Sequence, residues 1–427
     1  MTRVGDASFT LPDDARTHVT IIGAGAIGVT AAYELIKSGC AVRIVDRLAP
    51  GDGCSFGNAG VFAAASAQPL ASPKTMLKVP GYLIDPMGPL HIRLRHLPRL
   101  MPWLARFGWN GLFSDKMAAT SAMHSLVAGS VDDYVRIASE IGAEDLIRTN
   151  GWVYAYNTEA ERRANQAMLQ EDDVRGFPFE YLDREALQAR LPGISGHYIG
   201  ADIVHGIGHT TNPARLVRAI ADAVRNRGGE IVAADVIGIV RDGDQVSALQ
   251  TSAGEMPVDQ LVVAAGAYSA QLTEMLDEPL PLETERGYHA VYVGQKLDHE
   301  YPVMDAGLKA VVTPMEEGVR AAGTVAFASL DAPENEARAR NVQAMAKRMY
   351  PALDETGEIS TWLGRRPTLP DSLPVIDRAR GAGNTVYAFG HQHVGLTGGP
   401  ATARIVKQLV RGETPNQDIA PFRASRF

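Results

Sequence analysis

The sequence predicts an α/β protein of two domains. Three observations carry that reading: a strand, glycine turn, helix and second strand in order near the start; a strand, glycine loop and helix again at the far end; and a length of 427 residues, enough to bury two cores. The opening run, His18 to Gly28 (HVTIIGAGAIG), is an apolar strand leading into three glycines. Gly23 permits the tight turn. Gly25 lets backbone N–H groups approach a pyrophosphate at the positive end of the next helix, which Ala26 and Ile27 begin, and Gly28 lets that helix pack closely on the strand. The second strand, Ala41 to Asp46 (AVRIVD), ends in an acid 18 residues after Gly28 and is followed by Arg47. That is close to the spacing of roughly 20 at which a carboxylate meets a ribose hydroxyl pair. Together these elements specify a Rossmann-like dinucleotide site. They do not by themselves separate NAD from FAD. The next segment, Gly53 to Gly60 (GCSFGNAG), leans toward the flavin, because an NAD domain would proceed to another helix and strand. Ser55, Asn58, Ala59 and Gly60, running into Val61, suit a loop along a second phosphate and a ribityl chain.

Composition narrows the class. Hydrophobic residues at 45% and charged residues at 21% fit a globular protein. The net charge of −8 argues against nucleic acid as a partner. The first eighteen residues hold Asp6, Asp13 and Asp14 and no apolar core of signal-peptide length, which predicts a cytoplasmic location. Cys40 and Cys54 match no metal motif and are expected as thiols, and no metal site is expected.

Beyond the opening unit, residues 76–113 are broken by prolines at 80, 86, 89, 98 and 102 and mix Arg93, Arg95, His96, Arg99 and Arg106 with Leu, Met and Trp. This basic, aromatic stretch suits either peripheral contact with the inner membrane, near a quinone, or helices that cap a substrate domain with a solvated basic face. The acidic surroundings favour the second. Apolar residues at helical spacing predict one long helix over Ala118–Gly142, and Thr211-Asn212-Pro213 opens a helix that Gly228 and Gly229 close. Strands are predicted over Glu230–Val240, Gln245–Thr251 and Gln260–Ala265 as a meander, with the first hairpin turn at Asp242-Gly243-Asp244. A helix follows from about Ser269. A strand-rich region over Glu283–Ala328, a helix over Glu334–Met349, a strand into Gly390 and a helix over Ala401–Arg411 complete the chain.

With these motifs in order, the chain resembles the FAD-dependent D-amino-acid oxidase superfamily, and within it the bacterial D-amino-acid dehydrogenases. The residues that carry the resemblance are the amino-terminal fingerprint, the Ser55–Gly60 loop, Val262 to Gly266 (VVAAG), Gly364 to Ile376 (GRRPTLPDSLPVI) and Gly390 to Thr397 (GHQHVGLT). The resemblance implies a FAD-binding domain built from 1–75, 196–275 and 362–427, interleaved with an α+β substrate domain from 76–195 and 276–361 that contains an antiparallel sheet. It places the active site where the two domains meet. It adds Val236, Ala265, Gly266, Gly364, Gly390, Val394, Gly395, Leu396 and Thr397 to the cofactor-binding residues. No cysteine lies where covalent attachment would be expected, so the FAD is expected to dissociate. Two departures stand out: Asp46 where such flavoproteins usually carry Glu, and two histidines in the turn after Gly390, a pattern nearer to dehydrogenases of D-proline or D-hydroxyproline.

Oxidising an amino acid at Cα needs a carboxylate clamp, a neutral amine and a hydride acceptor. Arg366 is the candidate clamp, because a planar guanidinium meets a carboxylate through two parallel bonds. The alternative is a structural salt bridge with Asp371 or Asp377, with Arg365 the more structural of the two arginines. Tyr288 is the second candidate carboxylate contact, or a core tyrosine. His391 and His393 could bond the flavin edge or accept the ammonium proton, or satisfy the turn structurally. The backbone amides of Val394–Thr397, at the start of the last helix, are placed to stabilise charge on the reduced flavin. His209 is read as a surface cap. The expected reaction is FAD-dependent dehydrogenation of a D-amino acid, a cyclic imino acid included, to an imine that water converts to a 2-oxo acid, with a quinone, an electron-transfer protein or oxygen as acceptor. A glycine- or sarcosine-type amine oxidase or N-demethylase is the alternative on the same fold; an NAD-dependent dehydrogenase or a non-catalytic dinucleotide sensor is the alternative of another class.

Overall fold

The structure, a computed structural model, describes residues 16–65, 67–71, 81, 90–170 and 177–427. Asp6, Asp13 and Asp14, and most of 76–89 with Pro80, Pro86 and Pro89, lie outside the described residues. The chain forms two compact units, Met1–Phe56 with Ala214–Glu283 and Pro367–Phe427, and Gly57–Pro213 with Thr284–Arg366. The segment from Gly57 and the residues up to Pro213 group with the second unit because Val61–Phe62 pairs antiparallel with Gly208–Thr210.

The first unit holds a six-stranded sheet in the order Glu230–Ala233, Ala41–Asp46, His18–Ile22, Gln260–Val263, Thr385–Phe389, Val375–Arg378. The first five strands run parallel and the last antiparallel. Parallel strands covered on both faces read as continuous apolar runs, and Thr385–Phe389 is buried throughout. The helices Ala26–Lys37 and Gly399–Val410 pack on one another. The expected three-stranded meander is rearranged: Ala234 and Asp235 split its first strand, so that Glu230–Ala233 and Gln260–Val263 join the parallel sheet. A separate meander is left, Val236–Asp242, Gln245–Thr251 and Gly254–Pro257, with Gly243 at φ 61° in its first turn.

The second unit is dominated by a ten-stranded mixed sheet whose longest strand, Glu283–Val293, is flanked by Val325–Phe327 and Gly318–Ala322 and also paired with Ile359–Thr368. Its core gathers Tyr288, Ala290, Tyr292 and Leu363 against Val342, Met345 and Met349 of the helix Glu336–Met349. The single long helix expected over Ala118–Gly142 is two, Lys116–Val127 and Ser130–Ile141. Asp115 caps the first through Met117 and Ala118 N–H, Gly129 interrupts, and Gly142 at φ 70° ends the second. Among the described residues no helix is long and apolar enough to cross a membrane.

Candidate active site

In the first unit the glycine turn is held by its neighbours. Gly23 has φ 114°, and a Cβ there would lie 2.4 Å from Ala264 O; a Cβ at Gly28 would lie 1.8 Å from Gly23 O. Neither position tolerates a side chain. Gly25 differs, because the nearest protein atom to a Cβ there is Ser55 Oγ at 3.6 Å. The protein itself does not demand glycine at 25, since a Cβ there would only reach ordinary contact with the Ser55 hydroxyl, and a bare backbone is what a group approaching the helix start would need. Ser55 Oγ accepts from Ala26 N–H at 3.0 Å and keeps its own proton to donate. Ile27 is half-buried in the first turn of the helix.

Asp46 serves the turn. Its Oδ2 accepts from Ala24 N–H at 2.7 Å and its Oδ1 from Leu48 N–H at 2.9 Å. Each carboxylate oxygen retains a lone pair, so the shorter acid ties the glycine turn to the second strand and can still meet a hydroxyl. Arg47 lies with its guanidinium carbon 3.8 Å from the Tyr268 ring centroid, near Asp235 at 3.7 Å, one residue before Val236. Ala265 and Gly266, at φ 57°, turn the chain after Gln260–Val263.

At the far end, Gly390 has φ 89° and Gln392 has φ 49°. His391 is buried, bonds Thr402 Oγ1 through Nε2 at 2.9 Å, and burial pushes its pKa down to about 3. It is therefore a neutral imidazole that ties the turn to the last helix. His393 is half-buried. The last helix begins at Gly399, later than the expected amide cluster, and Val394 N–H already donates to His391 O at 2.9 Å. Gly395, Leu396 and Thr397 form the connection between the 392–394 turn and that helix.

In the second unit, four successive carbonyls of the loop after Ser55 are secured. Gly57 O faces His289 Nδ1 at 3.2 Å, Asn58 O accepts from Arg320 at 2.7 Å, Ala59 O from Thr313 Oγ1 at 2.9 Å, and Gly60 O from Thr210 N–H at 2.9 Å. Asn58 Oδ1 takes Gly60 N–H at 2.8 Å. The loop conformation is thus fixed from its acceptor side, and the N–H groups of Asn58 and Ala59 have no acceptor among the described residues. Val61 continues into the Val61–Phe62 strand. His209, expected at the surface, is buried beside that strand, and burial pushes its pKa down to about 4.

The Glu283–Val293 strand has two distinct faces. His289 stacks on Trp362, ring centroids 5.2 Å apart, and a Cβ at Gly57 would lie 1.9 Å from Cε3 of that indole. Arg366 spreads over Gly287: a Cβ at Gly287 would lie 2.5 Å from Arg366 Nη2 and 2.6 Å from Cζ. Because side chains alternate along a strand, Gly287, His289, Trp362, Gly364 and Arg366 share one face. The Arg366 side chain forms no hydrogen bond or ion pair among the described residues. Its alternative partners are occupied, since Asp371 pairs with Arg426 at 2.5 Å and Asp377 accepts from Ala424 N–H at 2.9 Å; Arg365 donates to Leu330 O at 2.9 Å. Tyr288 points the other way. Its hydroxyl accepts from Asn335 N–H at 2.7 Å in the core against the helix Glu336–Met349, so the structure does not bring it together with Arg366. His289 and Trp362 are the neighbours of Arg366's face that the sequence did not single out. Burial, then the Arg320 cation, lowers the His289 pKa to about 3, against the opposing bond to Gly57 O.

The pattern of the FAD dependent oxidoreductase family matches residues 18–409. The chain belongs to that family. A D-amino-acid oxidase of Bradyrhizobium diazoefficiens is 38% identical over 96% of this chain and 99% of the relative, and a D-amino acid dehydrogenase of Agrobacterium fabrum is 28% identical over 96% and 99%. Among solved structures, glycine oxidase from Geobacillus kaustophilus superposes with TM-score 0.73 at 22% identity, covering 96% of this chain and 100% of that one. L-proline dehydrogenase from P. horikoshii superposes with TM-score 0.72 at 20% identity, covering 96% and 98%. As a member of the FAD dependent oxidoreductase family the chain is a flavoenzyme, and the NAD-dependent and sensor readings fall. The residues of each unit fit the cofactor: in the first, the bare backbone at Gly25 and the Ser55 hydroxyl at the helix start suit a pyrophosphate, and in the second, the two unengaged amides at Asn58 and Ala59 are donors that suit a polyhydroxyl chain.

Proposed function

We propose that the enzyme dehydrogenates a D-amino acid, with a cyclic imino acid such as D-proline or D-hydroxyproline within its range, and passes the electrons to a quinone, an electron-transfer protein or oxygen. The observation that carries this reading is the uncommitted, half-buried guanidinium of Arg366 spread over Gly287. A carboxylate docked there gains two parallel charge-assisted bonds, which fixes the substrate's orientation as well as its position. FAD, when bound, supplies the acceptor for the hydride that leaves Cα.

Gly23, Gly25, Ala26 and Ser55 would hold the cofactor's phosphates, and Asp46 its ribose. Asn58, Ala59 and Gly60 would follow the polyhydroxyl chain. The Cα–H bond breaks only after the ammonium has lost a proton, and His393, in the turn beside Gln392, is the candidate to accept it. His391 holds that turn through Thr402 and stays neutral throughout. The Trp362 indole and the neutral His289 imidazole give Arg366's face an aromatic surface, which suits a compact or cyclic side chain. The imine product meets water outside the clamp and yields a 2-oxo acid, with ammonia released from a primary amine.

The test is anaerobic bleaching of the bound flavin by D-proline, D-alanine, their L-enantiomers, glycine and sarcosine, with dye reduction and oxygen uptake followed in parallel. Reduction by the D-amino acids ahead of the others supports the reading. Bleaching by sarcosine or glycine alone overturns it in favour of an amine oxidase or N-demethylase.

A further inference from the structure

The helix Leu97–Phe113 (LPRLMPWLARFGWNGLF) carries only Arg99, Arg106 and Asn110 as polar side chains. One of its faces is buried, with Leu100 and Trp103 packed on Phe327. At about 100° per residue, Met101, Trp109, Leu112 and Phe113 fall on an opposite arc of about 120°. That arc faces water: Trp109 is 66% exposed and Phe113 67%, their rings 4.6 Å apart, and Met117 at the start of the next helix is 68% exposed. Arg99 and Arg106, both exposed, border the arc along one side. From Pro86 to Ser114 the chain has four arginines and no acid, although its net charge is −8.

A helix that merely caps a domain turns a polar face outward; this one is apolar on both. We propose that Leu97–Phe113 seats the protein on an anionic lipid surface. The exposed aromatic pair enters the boundary between headgroups and acyl chains, and the arginines reach the phosphates while their methylene stems lie on the apolar layer. Charge complementarity chooses this occupant. An acidic protein is repelled by an anionic bilayer everywhere except where its surface is locally basic, and the arginine-bordered apolar stripe is such a place.

The experiment is flotation of the holoenzyme with vesicles of mixed phosphatidylcholine and phosphatidylglycerol, and with phosphatidylcholine alone, at low and high salt. Binding is expected to the mixed vesicles at low salt, with a blue shift of tryptophan emission that Trp109→Gln removes. An arginine near such a surface contributes about fivefold in affinity, so R99Q/R106Q is expected to weaken binding about 30-fold. W109Q/F113Q is expected to abolish it. Both pairs lie on exposed positions, so melting temperature and dye-linked activity in vesicle-free solution are expected to match the wild type. Failure to float with the mixed vesicles, or flotation that neither pair alters, overturns the proposal. So does a wild-type dimer that W109Q/F113Q splits, which would make the stripe a contact between two copies.

Discussion

Replacing Gly287 with alanine tests how Arg366 is positioned. A Cβ at 287 would lie 2.5 Å from Nη2, 2.6 Å from Cζ and 3.1 Å from Nε of Arg366, and nonbonded contacts relax only at about 3.5 Å. The guanidinium must therefore withdraw by about 1 Å. It is the far end of a flexible side chain, so the shift costs little folding energy. The backbone at 287 is not in the left-handed region, so alanine adds no φ strain and reduces the freedom of the unfolded chain. A misplacement of about 1 Å at a group that orients the substrate costs on the order of a hundredfold in rate, about 2.7 kcal/mol. The expected G287A enzyme melts within a few degrees of wild type, retains its flavin spectrum, and loses about two decades in kcat/KM. Stopped-flow reduction by D-proline or D-alanine, alongside acetate as a non-reacting carboxylate competitor, reads the loss. Acetate should weaken in parallel if the defect lies at the clamp. Wild-type kinetics in a folded G287A protein would refute the assignment of Arg366 to the carboxylate.

Other perturbations separate the remaining roles. Arg366→Met should cost about three decades in kcat/KM with the flavin retained, since a bidentate charge-assisted pair is lost; unchanged kinetics return the residue to a structural role. Gly25→Ala should leave the apoprotein's melting unchanged while weakening FAD binding at least tenfold, whereas Gly28→Ala, whose Cβ would meet Gly23 O at 1.8 Å, should destabilise the apoprotein itself. Equal effects in flavin titration and melting of the two variants would remove the distinction between a ligand-facing and a packing glycine. The pH dependence follows from the imidazoles whose folded pKa is lowered by burial, to about 3 for His289 and His391 and about 4 for His209 and His299. Below about pH 6.5 the unfolded chain takes up protons that these groups refuse, so stability falls as pH drops from 6.5 toward 4, by about 2 kcal/mol per histidine at pH 5. Urea unfolding midpoints of wild type and His391→Asn over that range should converge as pH falls; parallel curves would contradict a buried neutral His391.

Much of the first unit was legible because its rules are local. In the run from His18 to Asp46, Gly23 and Gly39 fall where the structure has a positive φ and Gly28 where a Cβ is impossible, Gly25 alone being free of both demands, and the strands end where the glycines and Asp46 say they should. What was hidden was pairing. Glu230–Ala233 and Val236–Asp242 look like one β-rich run, and only the partner strands show that two residues divide a parallel sheet from a separate meander. The two helices inside 116–141 share one apolar rhythm, which a single glycine at 129 interrupts without disturbing the spacing.

The proposed clamp shows a different limit. Alternation assigns faces when one side of a strand is polar, but Thr284 to Tyr292 is buried throughout, so period-two patterning says nothing about which side chains meet. Tyr288 was the chemically attractive member of the strand Glu283–Val293. Its phenol nevertheless belongs to the core behind the sheet, where Asn335 N–H takes it as the acceptor that opens the next helix. The residue beside Arg366 is Gly287, chosen for what it lacks. A glycine that accommodates a guanidinium leaves no periodic or propensity signal. It becomes visible only once the neighbouring strand is in place, and the same logic makes His289 and Trp362, rather than Tyr288, the side chains through which this face would discriminate between substrates.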